Sequence, residues 1–259
     1  MFRSVSFYVT LALCVCMACG VLLVQTNSIN RFYDGAAESE TLVSDDGNME
    51  NIACPITICD SYIATTDMFL GIFLALFVGA FYTDGFCKNV VSRVRQRYYF
   101  QAARVICAML YAAILLGVTA LATVGMAAVT IHAFTFARMG EFAVFLLSKF
   151  LLNSVEGVMF AFFTDLFRSK LPSFVYAVMI STNLIMLFQF LVNKVVNRLL
   201  SVDFHIEDCL PSLYSVNYRY GGNAEDVRNL LIHSTVLFIG AFVVYNGLGW
   251  LQLTKRDIS

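Results

Sequence analysis

The sequence predicts an all-α, polytopic membrane protein with six transmembrane helices and both termini in the cytoplasm. Three observations predict it: an apolar excess, uncharged intervals of membrane length, and a one-sided distribution of Lys and Arg. Of 259 residues, 59% are hydrophobic and 14% are charged. Soluble domains average about 45–50% apolar and about 25% charged residues. The net charge of −1 gives no bulk field that would attract nucleic acid, so the placement of the charges carries the information.

Charged residues are missing from 4–30, 68–83, 105–137, 171–193 and 229–254. A helix crosses a bilayer with about 20 apolar residues. The first span is expected near 6–25, in "FRSVSFYVTLALCVCMACGVLLVQ". Its apolar run exceeds the roughly 7–15 residues of a signal-peptide core, and no clear Ala-x-Ala site follows, so it reads as a retained span rather than a cleaved leader. The second is expected near 66–83, with Asp67 at the membrane interface. The third, fifth and sixth fall near 105–130, 173–193 and 230–252. The fourth, near 142–164, is apolar apart from Lys149 and Glu156. All six belong to one transmembrane domain, 1–259, with no internal repeat.

Sidedness follows from the positive-inside bias, which is counted in short loops. The 84–104 loop carries Lys88, Arg93, Arg95, Arg97 and Arg104 against Asp84. The next loop of the same parity carries Arg168 and Lys170, and the C-terminus carries Lys255 and Arg256. Residues 31–67 carry one Arg and eight acids. Loops 26–65 and 194–229 are therefore expected outside. Taken alone, the basic cluster at 84–104 need do no more than orient the chain.

Lys149, Asn153 and Glu156 stand at i, i+4 and i+7 and share one face of the fourth span. Ionisable groups inside a bilayer cost at least about 2.5–3.5 kcal/mol each and usually face a bundle interior or a water-filled path. They read as a structural ion pair between helices or as the lining of a substrate path or subunit seam. Among the eight cysteines, Cys14, Cys16, Cys19 and Cys107 fall inside spans as small apolar residues. Cys54, Cys59 and Cys209 face outward; Cys54 and Cys59 could close a small disulfide, or Cys209 could reach one of them. Cys-x4-Cys without a nearby His pair does not read as a metal site. The chain has no P-loop, H-E-x-x-H, G-x-S-x-G or dinucleotide fingerprint. No catalytic residues and no cofactor are expected.

The stretch "YTDGFCKNVVSRVRQRYYFQAARVI" resembles the loop after the second span in type 2 ABC transporter permeases. That pattern has an acidic residue, Gly, then Lys/Arg-Asn, a Ser-Arg pair and an apolar helix; Asp84, Gly85, Lys88, Asn89, Ser92 and Arg93 match it. The ending "LQLTKRDIS" resembles the basic pair followed by Asp-Ile at the end of such permeases. "FHIEDCLPSLYSV" is similar to their outer segment between the last two spans, with Pro211 in place. As architecture the resemblance covers nearly the whole chain; as sequence it rests on these three motifs. The chain departs from the family in its short start, "MFRSVSF", which reduces or omits the usual amphipathic helix, and in Phe86-Cys87, where Thr more often follows Gly.

The resemblance implies a bacterial cytoplasmic-membrane exporter built from two permease halves, identical or sister chains, and separate ATPase subunits. Peptides, antimicrobials and lipid-like molecules are the implied substrates. Asp84, Gly85, Lys88, Asn89, Arg93, Arg95 and Arg97 would form the segment that couples to the ATPase, with Asp84 as helix N-cap. A non-transport membrane protein, such as an immunity or scaffold factor, is the alternative that composition and topology leave open.

Overall fold

The computed structural model describes residues 5–38, 54–83, 97–132, 134–167, 169–181, 184–200, 205–218, 220, 221 and 223–255, and among them there is no strand. The helices are α1 (Val5–Glu38), α2 (Pro55–Thr83), α3 (Arg97–Thr130), α4 (Met139–Phe167), α5 (Leu171–Ser181), α6 (Leu184–Leu200), α7 (Pro211–Asn217) and α8 (Ala224–Lys255). A 3-10 turn, Ile206–Asp208, precedes α7. Four stretches are long and apolar enough to cross a bilayer: Val5–Arg31, Ala102–Thr130, Met139–Phe167 and Ala224–Gly249. A fifth is formed by Pro55–Ser61 with Thr66–Ala80, bent by 50°. The chain is thus a multi-pass, all-helical membrane protein.

The structure departs from the expected spans in three places. The interval 173–193 is divided between α5, of 11 residues, and α6, of 17, and each is shorter than the roughly 20 residues a crossing needs. The helix expected to end near residue 25 continues to Glu38, and the helix expected from residue 66 starts at Pro55. Much of the segment 26–65 is therefore helical, although its polar composition obscures any periodicity.

Side-chain contacts fix the helix directions. Asp60 meets Lys149, and Gly71 lies against Phe160, so α2 and α4 run parallel. Arg104 pairs with Asp165 while Ala108 lies against Gly157, so α3 runs against α4. Helix α1 follows α3: Thr10 Oγ1 is 2.7 Å from the Tyr111 hydroxyl, and Asn30 Nδ2 donates to the Thr130 carbonyl at 3.0 Å. In α8, Asp226 near the start lies beside Gly221, and Tyr245 reaches Phe162 and Phe163 near the end of α4. Helix α5 begins beside the end of α4, where the Ser173 and Thr164 hydroxyls are 2.7 Å apart.

Helix α4 is the axis of the bundle. Every residue from Leu152 to Phe162 is buried, as expected of a helix packed on all sides, and α2, α3, α5, α7 and α8 pack around it. Gly71 permits a close approach: a Cβ there would lie 2.6 Å from the Phe160 ring and 2.7 Å from Ala177 Cβ. Beside it, Phe73 stacks on Tyr111 at 3.8 Å, and Phe7 closes the group edge-on. Val236, Ile239, Val243, Val244 and Leu248 on α8 are exposed, a face suited to acyl chains.

Candidate functional site

Helices α2, α4, α5 and α7 enclose a group of polar side chains at the centre of the bundle. Lys149 and Asn153 are 1% exposed, and Asp67 and Glu156 are 0% exposed. Lys149 Nζ lies 3.5 Å from Asp60 Oδ1 and donates to the Ser215 carbonyl at 3.2 Å. The Phe145 and Tyr218 rings flank the ammonium at 5.5 and 5.2 Å, within cation–π range. The sequence places Lys149 on α4 by helical spacing; its acidic partner comes from α2 and its carbonyl partner from α7.

One turn further along α4, Asn153 joins the two helices. With its amide turned to donate, Nδ2 gives hydrogen bonds to Asp67 Oδ1 at 2.9 Å and to the Lys149 carbonyl at 3.2 Å, and its oxygen accepts from Thr66 at 3.1 Å. This orientation follows from chemistry, because a carboxylate cannot donate to an amide oxygen.

Glu156 comes next. Its carboxyl faces Asp67 and Ser212, yet neither oxygen forms a hydrogen bond of good geometry, and Asp67 Oδ2 lacks one as well. The Ser212 hydroxyl is 2.7 Å from the Tyr176 hydroxyl, so α5 closes the far side of the site.

A second network caps the group at the end of the bundle where α4 begins. Tyr220 donates its backbone N–H to Asp60 Oδ2 at 3.2 Å and its hydroxyl to Glu141 at 3.4 Å. Arg138 donates to that hydroxyl at 2.8 Å and lies 3.7 Å from Glu141. The hydrogen bond to Tyr220 raises the Arg138 guanidinium above its usual range, and burial raises the Tyr220 phenol. Arg138 has φ 57, a left-handed conformation rare for a non-glycine residue, at the turn into α4. Segments near residues 60, 138 and 220 thus converge at one end of the bundle. Arg104–Asp165 and the approach of Lys170 to Gly79 mark the opposite end.

The structure brings Lys149, Asn153 and Glu156 together in this site. Asp84, Gly85, Lys88, Asn89, Arg93 and Arg95 lie outside the described residues, and Arg97 is the first residue of α3. Cys54 and Cys59 do not form a disulfide with each other: the Cys54 thiol meets the Thr57 hydroxyl at 3.3 Å and the Cys59 thiol meets Thr123 on α3 at 3.6 Å. Cys209 is exposed and its thiol is not bridged.

Helical spacing in the sequence does not point to Asp60, Ser212, Ser215 or Tyr176, and Asp67, expected at the interface, is fully buried in the site. One signal could have found the acids. Asp60 and Asp67 are separated by the same seven residues as Lys149 and Glu156, so two parallel helices present ionisable groups in one register.

Among the described residues, no group of three or more His, Cys, Asp or Glu side chains is arranged to hold a metal ion. No protein-family model, curated protein or solved structure matches the chain.

Proposed function

We propose that the chain is the membrane-spanning permease subunit of an ABC transporter in a bacterial cytoplasmic membrane. It exports a peptide, antimicrobial or lipid-like molecule, beside a second copy or a sister permease. A separate ATPase subunit hydrolyses ATP, and this chain performs no chemistry of its own. In this reading α2 crosses as a bent helix, α5 and α6 make the fifth crossing in two pieces, and both termini are cytoplasmic.

The reading rests on where α2 ends and α3 begins, the two points between which Asp84, Gly85, Lys88, Asn89, Ser92 and Arg93 fall in sequence. Both points lie at the end of the bundle that holds Arg104, Lys170 and the basic end of α8. Asp60, Glu141 and Asp226 lie at the other end. The positive-inside bias makes the basic end cytoplasmic, where an ATPase would dock. A second support is the segment containing Pro211, which resembles the outer segment of these permeases. Here it folds back against α4 as α7, with Pro211, Ser212, Leu213 and Ser215 buried.

Shuffling residues 86–97 at constant composition tests the coupling role. The shuffled protein is expected to insert normally and lose its ATPase partner. Unchanged ATPase binding and unchanged activity would reduce the stretch to a topology signal.

A further inference from the structure

The centre of the bundle holds three acids near one lysine. Lys149 contacts Asp60 and can balance only one negative charge. Asp67 and Glu156 remain, both fully buried and facing each other from α2 and α4. Two carboxylates cannot meet in a low-dielectric interior without a proton between them, because both only accept. Three carboxyl oxygens, Asp67 Oδ2 and both oxygens of Glu156, accept no hydrogen bond from a fixed donor of good geometry, while the two carboxyl groups face each other and Ser212. A proton shared between them supplies the missing donor and offsets the cost of burying unmet acceptors.

Among the described residues, no further cation faces the pair. Asp60 and Asp67 face the site from α2, with Thr66. Ser212 and Ser215 come from α7, and Tyr176 from α5, with Tyr245 of α8 behind it. Helix α3 presents Ala108 against Gly157, and its Arg104 is engaged by Asp165. Arg138 is engaged at the rim by Tyr220 and Glu141.

We propose that Asp67 and Glu156 form a proton-binding site, a carboxyl–carboxylate pair that holds one exchangeable proton between α2 and α4. Asp60 is the least buried of the three acids at 8% exposure and sits beneath the Arg138–Tyr220 rim. The proton comes from water and is held between the two carboxyl groups, one of which is the acid and the other the carboxylate that accepts from it. No bond other than those to the proton changes. Glu156 of the pair also faces Ser212 of α7, beside the Lys149–Ser215 contact that holds the same helix. Proton occupancy therefore sets how firmly the outer segment is clamped, whether or not an ATPase drives the protein.

Infrared difference spectroscopy of the full chain in lipid nanodiscs tests this, with the proton itself as probe. Stepping the bath pH should reveal a carboxylic-acid carbonyl band. The band should shift in protein labelled with 13C-glutamate or 13C-aspartate and be lost in Glu156→Gln. Because labelling marks all 18 Asp and Glu side chains by type, the site is read from the variants: Asp67→Asn, checked like Glu156→Gln for native folding, should lose the band as well, and a folded form of either variant that keeps it would overturn the site. A folded wild-type protein with no such band, or a band that neither label shifts, would overturn the site. Transfer into D2O should shift the band as the held proton exchanges, and a band unmoved in D2O would overturn its assignment to an exchangeable proton.

Discussion

Nζ of Lys149 on α4 lies 3.5 Å from Oδ1 of Asp60 on α2, and both side chains are buried. The ammonium is also tied to the Ser215 carbonyl of α7, so one charge fastens three helices. Removing one member of a buried pair strands the other, at a cost of about 3–5 kcal/mol. Lys149→Met should lower the thermal midpoint of the detergent-solubilised protein accordingly. The double variant Lys149→Met with Asp60→Asn should recover most of the loss, because no uncompensated charge remains. Additive losses in a double-mutant cycle would show that the two side chains act independently.

Gly71 lets α2 lie directly against Phe160 of α4 and Ala177 of α5. A Cβ at that position would lie 2.6 Å from the Phe160 ring, far inside contact distance. Overpacking of this kind costs about 1–3 kcal/mol. Gly71→Ala is expected to be destabilised by that amount in thermal or denaturant unfolding, and Phe160→Leu in the same chain should relieve part of it. Gly157→Ala should be milder, since its nearest neighbour, Ala108 Cβ, is 3.3 Å away. Equal losses at the two glycines would contradict the packing described.

The convergence of residues 60, 138 and 220 at one end of the bundle predicts which positions share a side of the membrane. Reporter fusions or cysteine labelling at Asp46 and Glu225 should report the outside, and at Arg95 and Ser259 the inside. An outside report at Arg95 would contradict the topology and remove the coupling role of its loop.

Hydropathy made α1, α3 and α8 legible, because in each a long uncharged run coincides with one helix, and α4 legible because only Lys149 and Glu156 interrupt its apolar stretch 142–164. It did not reveal the division of 173–193. Counting charges ignores uncharged polar residues, and Ser181, Thr182 and Asn183 interrupt that run. The shared face of Lys149, Asn153 and Glu156 was legible from spacing alone, because helical geometry fixes it within one segment. Their partners were not, because Asp60, Ser212 and Ser215 come from segments that look like polar loops. Asp67 looked interfacial for the same reason: a lone acid near a span boundary gives no sign of the asparagine that will receive it. Tertiary pairing decided its depth, and only the matched seven-residue steps of Asp60–Asp67 and Lys149–Glu156 hint at that pairing.

Affinity purification of the tagged chain from its native membrane, with identification of the proteins that accompany it, tests the permease reading most directly. A P-loop ATPase subunit is expected to co-purify with the wild-type chain and to be lost when residues 86–97 are shuffled. Recovery of the intact, folded chain without any such ATPase would contradict it.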